Sequence, residues 1–233
     1  MKDLTVIMPV YKEDSVVVTK TYCELSILGC QVIVVDDGNF MADLPDEVRT
    51  ITYPAHMGYG YAIKQGIKAA DTPIVCTVDG DGQHTASDVQ SLYTVYKIDN
   101  AMKMVVGQRW NLKEAPFRWL FRKILNFIAS LISGHYMADL NSGMRMFDKK
   151  MAEGYSPILC DTFSFTTSLT MSVVTDGHKM AYFPINVKKR AVGKSRVRLL
   201  QDGLVTLYYI IWVGSALRTR RIRAWLRSVI AGR

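Results

Sequence analysis

Five short runs of nearly unbroken apolar residues, most of them ending in a polar cluster, constrain this chain more than any other feature. They are LTVIMPV (4–10), QVIVVDDG (31–38), TITYP (50–54), PIVCTVD (73–79) and MKMVVGQR (102–109). Between them lie segments with helical spacing: DSVVVTKTYCELSIL (14–28), MGYGYAIKQGIKAAD (57–71) after a glycine-rich turn, and SDVQSLYTVYKI (87–98). Asp14 or Ser15 can cap the first of these and Gly29 can stop it. Strands that are apolar on both faces and alternate with helices predict an α/β fold with a parallel sheet covered on both sides. Such sheets bind ligands outside the carboxyl ends of their strands. The polar clusters sit at those ends: YKED, DDG, DGDGQH and GQR.

The second half differs. FRWLFRKILNFIASLISG (117–134) reads as a strong helix, MRMFD (144–148) and AYFPINV (181–187) as further strands, and two helices as the close of the chain. The expected organisation is one α/β domain over 1–198 and a helical extension over 199–233 that associates with a membrane or another subunit. GLVTLYYIIWVGSAL (203–217) is apolar for 15 residues. That is short of the roughly 20 residues a spanning helix needs, so it is expected to pack or to lie in an interface. No secretory leader is read after Met1. The four cysteines show no CxxC pairing and read as buried, reduced thiols of a cytosolic protein.

The DGDGQH cluster puts Asp79 and Asp81 one residue apart. If the strand continues, both carboxylates point the same way. Paired carboxylates suit Mg²⁺ or Mn²⁺, with phosphate oxygens completing the shell and Gln83 as a neutral third ligand. A solvated turn would use the same residues. Asp36 and Asp37 end a neighbouring strand facing the same crevice, where a carboxylate can accept hydrogen bonds from a nucleobase or a ribose.

Arg118, Arg122 and Asn126 recur every four residues and share a helix face. They can grip phosphate oxygens, while Trp119, Leu120, Ile124, Leu125 and Phe127 offer apolar surface to a lipid chain. A plain amphipathic surface helix fits the same pattern. In TRRIRAWLRSVIAGR (219–233), apolar residues at 222, 225, 226, 229 and 230 oppose arginines. Such a helix can lie in an anionic membrane interface or pack on protein. The net charge of +8 agrees with anionic partners. No base-stacking or groove-reading motif accompanies it, so nucleic acid is not expected.

The ordered motifs MPVYKE, IVVDDG, MGYGYAIKQG, VDGDGQH, VGQR, DLNSGMR and KKRAVGKSR resemble glycosyltransferase family 2. More narrowly, they resemble its polyprenyl-phosphate branch, typified by dolichyl-phosphate mannose synthase. The similarity spans roughly residues 4 to 200. It implies a GT-A-type, Rossmann-like sheet and an inverting, Mn²⁺- or Mg²⁺-dependent transfer. A hexose, with mannose favoured as in GDP-mannose, would move to dolichyl or undecaprenyl phosphate.

By position, the resemblance implies that Pro9, Tyr11 and Glu13 line the nucleotide pocket with Asp37 beside the base. Gly58 and Gly60 would let the backbone pass close to the nucleotide. Asp79, Asp81 and Gln83 would hold the metal, with His84 behind them. Arg109 matches the family's basic residue after the fifth strand. Asp139, Ser142 and Arg145 match a motif near the acceptor, with Asp139 the candidate base. Arg118 would meet the lipid phosphate. Arg190, Gly193, Lys194 and Ser195 match a phosphate-handling motif. His56 stands where the family usually has asparagine. The implied location is the cytoplasmic face of a membrane, with a homo-oligomer or a membrane-protein partner left open. Two other readings stay open: the same donor chemistry with a saccharide or other lipid acceptor, and a non-catalytic nucleotide-sugar-binding or scaffold module.

Overall fold

The computed structural model describes residues 1–38, 44–111, 114–188 and 199–231, the last segment without the side chains of 199–200 and 219–231. Seven strands form one sheet in the order β3-β2-β1-β4-β6-β5-β7. They are β1 (Leu4–Val10), β2 (Gln31–Asp37), β3 (Thr50–Tyr53), β4 (Ile74–Thr77), β5 (Met102–Arg109), β6 (Arg145–Asp148) and β7 (Lys179–Ile185). All neighbours run parallel except β6, which lies antiparallel between β4 and β5.

Alternation along the strands builds two cores. Ile7, Ile33, Val75, Met104 and Phe147 face α2 (Tyr59–Ala69), α5 (Lys149–Tyr155) and α6 (Phe165–Thr175). Val6, Val32, Cys76, Val105 and Met146 face the other way, toward α1 (Ser15–Ser26) and α3 (Ala86–Ile98). Asp14 caps α1 through the amides of Val16 and Val17. Thr85 and Asp88 form a reciprocal capping box on α3.

A third core joins α6, α4 (Pro116–Ser133) and α7 (Leu199–Ala231) through Leu125, Ala129, Met171, Ile210 and Val213. Here the helix reading changes: one continuous helix of 33 residues closes the chain instead of two. The arginines from 218 onward do not interrupt it, because charged residues without Gly or Pro are good helix formers. Its two glycines serve packing. A Cβ on Gly203 would run into the Phe121 ring, and one on Gly214 would sit 2.5 Å from Ile132. Among the described residues, no helix is long and apolar enough to cross a membrane.

The outer faces of this helical pair stay uncovered. Phe117, Leu120, Ile124, Phe127 and Leu131 follow helical spacing along α4 and are 46–72% exposed. Leu204, Tyr208 and Ile211 are likewise exposed at helical spacing along α7. Leu125 turns inward and is buried, so it does not belong to that face as its position in sequence suggests. Of the cysteines, Cys76 and Cys160 are buried, but Cys23 is exposed rather than buried as expected.

Candidate active site

The carboxyl ends of β1, β2, β4 and β5 open on one side of the sheet. Pro9 lies inside β1, opposite Val35 of β2. Tyr11 follows in the loop and stacks on His56, with ring centroids 3.9 Å apart. Glu13 is half-buried in the same loop. Asp36 and Asp37 do not face one crevice, because consecutive strand residues alternate. Asp37 is buried and spends its carboxylate on the chain itself. It accepts from the amides of Met57 (2.6 Å) and Gly58 (2.8 Å), and His56 Nδ1 lies 2.7 Å away. It thereby shapes the turn that carries His56.

The glycines at the start of α2 lie against another part of the chain. Gly58 has φ +117°, and a Cβ there would sit 2.5 Å from the Asp161 carbonyl oxygen. A Cβ on Gly60 would overlap the Cys160 carbonyl. The close approach is between α2 and the 160–162 segment. Tyr61 N donates to Asp161 O (2.9 Å), and Lys64 Nζ donates to Leu159 O (2.6 Å).

β4 ends at Thr77, so Asp79 and Asp81 are presented by a turn, with Gly82 at φ +72°, and not by a continuing strand. Asp79 is about a third exposed, while Asp81 is buried. The Tyr59 hydroxyl donates to Asp79 Oδ1 (3.0 Å), and His84 Nε2 lies 3.8 Å from Oδ2. Burial alone would raise the Asp79 pKa. His84, Tyr59 and the charge of Arg109 outweigh burial and hold the carboxyl below its ordinary value. Burial also drives the Tyr59 phenol well above its usual pKa, so it remains a donor.

Asp81 Oδ1 accepts from Gln83 N (3.1 Å). The Gln83 side-chain nitrogen donates to Lys188 O (3.0 Å), tying the turn to the end of the described 114–188 segment. Among the described residues, no three His, Cys, Asp or Glu side chains cluster as a self-sufficient metal site. The donor set fits a hard divalent cation that takes its remaining ligands from a diphosphate. Gly143 favours that fit, since a Cβ there would collide with the Asp79 carboxylate.

Arg109 leaves β5 beside this turn and feels the charge of Asp79. Asp139 accepts from its Nε and Nη2, each at 2.8 Å, and from its backbone N at 3.2 Å. Burial would raise the Asp139 pKa, but Arg109 wins and holds the carboxyl low. Asp139 thus spends both carboxylate oxygens on Arg109.

Arg145 is fully buried. It donates to the carbonyls of Ser142 (2.7 Å), Thr166 (2.8 Å) and Leu140 (2.5 Å), and to Thr170 Oγ1. Burial with these neutral partners lowers its pKa to about 10. Ser142 is buried beside it, its hydroxyl without a hydrogen-bond partner among the described residues.

The arginine row on α4 does not form one phosphate fork. Arg118 is exposed. Arg122 pairs with Glu114 through Nε (2.8 Å) and Nη2 (2.6 Å). Asn126 is buried, donating to Ala138 O (2.9 Å) and accepting from Leu140 N (3.4 Å). Arg190, Gly193, Lys194 and Ser195 lie outside the described residues. Tyr59 and Gly143 escaped the reading of the sequence. The only hints were an aromatic between two glycines and a small residue in DLNSGMR.

A model described as glycosyl transferase family 2 matches residues 5–155. An uncharacterised protein of Methanocaldococcus jannaschii is 26% identical over 228 residues, covering 90% of this chain and 91% of its own. The undecaprenyl-phosphate 4-deoxy-4-formamido-L-arabinose transferase of Salmonella choleraesuis is 22% identical, covering 99% of this chain and 73% of its own. Among solved structures, glucosyl-3-phosphoglycerate synthase from Mycobacterium tuberculosis aligns with a TM-score of 0.70 at 12% identity. That alignment covers 91% of this chain and 78% of the synthase, which holds Mn²⁺, UDP and phosphoglyceric acid.

Proposed function

The chain belongs to glycosyl transferase family 2, and from that premise we propose that it moves one hexose, mannose by preference, from a nucleotide-diphosphate sugar to a polyprenyl monophosphate. The observation that carries the reading is the placement of α4. Its outer face is apolar and exposed, while its inner face reaches the segment that holds Arg109 beside Asp79. A site that must receive a charged headgroup on a lipid chain needs such a surface next to its cations. The name of the Salmonella relative, which acts on undecaprenyl phosphate, supports the same acceptor class.

Asp79 and Asp81 would hold Mn²⁺ or Mg²⁺, which would offset the charge gathering on the leaving diphosphate. Tyr59 fixes the Asp79 carboxylate by its hydrogen bond, and Gly143 leaves room around it. Arg109 Nη1 takes no part in the pair with Asp139, so it can face the diphosphate. The Tyr11–His56 stack supplies a flat wall at the nucleotide end. Arg118, exposed near the start of α4, meets the acceptor phosphate. That phosphate is already anionic and attacks the anomeric carbon directly, inverting it, with no protein base. The protein sits peripherally on the cytoplasmic face of a membrane, with the apolar faces of α4 and α7 against lipid.

The test is transfer from GDP-mannose, UDP-glucose and UDP-N-acetylglucosamine, each with Mn²⁺, onto undecaprenyl or dolichyl phosphate in vesicles. Sugar should enter the lipid phase from one donor, and Asp81→Ala should abolish it while the protein stays folded. The synthase used in the structural alignment holds phosphoglyceric acid, so a soluble phosphorylated acceptor belongs in the panel. Transfer to it with the lipid untouched would overturn the proposed acceptor.

A further inference from the structure

Asn126 makes contacts that a packing residue does not need. It is buried among Leu125 and Ala129, where an apolar side chain would fill the space at lower cost. Its amide instead donates to Ala138 O at 2.9 Å and accepts from Leu140 N at 3.4 Å. These two bonds straddle Asp139. One turn further along α4, Ser130 Oγ accepts from Met137 N at 2.9 Å. The segment from 137 to 140 is therefore fastened to α4, and its central side chain is the carboxylate that grips Arg109 on three donors.

We propose that Asn126 is a positioning residue, which sets the aim of the Arg109 guanidinium beside Asp79 by holding the backbone on either side of Asp139 to α4. The proposal rests on the transferase reading for the role of Arg109, but not for the physical linkage. The consequence is a mechanical path from the exposed apolar face of α4 to the donor site. A shift of the helix carries Asn126, then Asp139, then Arg109. A bidentate clamp transmits such a shift because its geometry is narrow.

Two measurements separate positioning from plain support. In the ¹H–¹⁵N spectrum of the full chain without ligand, the Nε–H signals of Arg109, Arg122 and Arg145 report their hydrogen-bonded states. Asn126→Ala should move or broaden the Arg109 signal and leave that of Arg122, which is held by Glu114, in place. An unchanged Arg109 signal overturns the proposal. In turnover, Asn126→Ala should lower kcat by about tenfold, the loss expected from one misdirected hydrogen bond. In the Arg109→Ala background the same change should cost nothing further. Losses that multiply in the double variant overturn the proposal. If Asn126→Ala does not fold, Asn126→Asp keeps the shape and the acceptor for Leu140 N but removes the donor to Ala138 O. The same shift of the Arg109 signal is expected, and its absence counts against the proposal. If the wild type transfers no sugar to any acceptor, the transferase reading fails while the spectrum still decides the linkage.

Discussion

At the scale of single residues, the site is defined as much by what is missing from a side chain as by what is present. Gly143 has no Cβ, and that vacancy is where the Asp79 carboxylate sits. Gly143→Ala should therefore displace Asp79 and weaken Mn²⁺ binding at least tenfold, measured by titration calorimetry in the presence of UDP. The global fold should persist, because the clash falls on a side chain and not on packed backbone. Asp139 makes a different prediction. Its pKa is held below the ordinary value near 3.9, so it adds stability above that pH and loses it as the pH falls through the lowered value. Asp139→Ala should cost about 3 kcal/mol near neutrality, because a largely buried guanidinium loses its partner. The gap to wild type should narrow as acid denaturation is followed from pH 6 to pH 3.

At the scale of elements, α4 is the part whose sequence and structure diverge most instructively. Its length, its apolar character and its place before a glycine were legible, and it spans Pro116–Ser133 with Gly134 at φ +75°. The fate of its polar residues was not. A four-residue spacing puts Arg118, Arg122 and Asn126 on one face, but it says nothing about partners that arrive from elsewhere in the chain. Glu114 claims Arg122, and the 138–140 backbone claims Asn126. The same blindness applies to Gly58 and Gly60, whose neighbour is a loop about one hundred residues later. Asp37 likewise reads as a ligand-facing acid until the 56–58 turn folds over it.

The exposed face of α4 carries its own prediction. Phe127→Glu and Leu131→Glu sit on solvent-facing positions and should leave the melting temperature within about 2 °C, as surface substitutions do. Together they should remove most co-sedimentation with anionic vesicles. Retained sedimentation would mean that this face does not meet lipid.

At the scale of the whole molecule, the sheet was readable because strands covered on both sides carry continuous apolar runs. β1 through β5 fell where those runs are, and β5 matches at both ends. The place of β6 was not readable. MRMFD looks like any short strand, and only long-range pairing shows that it enters antiparallel between two strands that precede it in sequence.

That late strand is a keystone in the order of assembly. Until residues 145–148 arrive, the β3-β2-β1-β4 half and the β5 strand share no seam. The same segment of chain delivers Gly143 against Asp79 and Asp139 against Arg109. A growing or truncated chain that ends before residue 139 would own both aspartates of the turn without Gly143 or Asp139 beside them. Pulsed hydrogen exchange during refolding should accordingly find the β5 amides that bond to β6 protected only when β6 itself is. The chain would then assemble its candidate site in the same step that joins the two parts of its sheet.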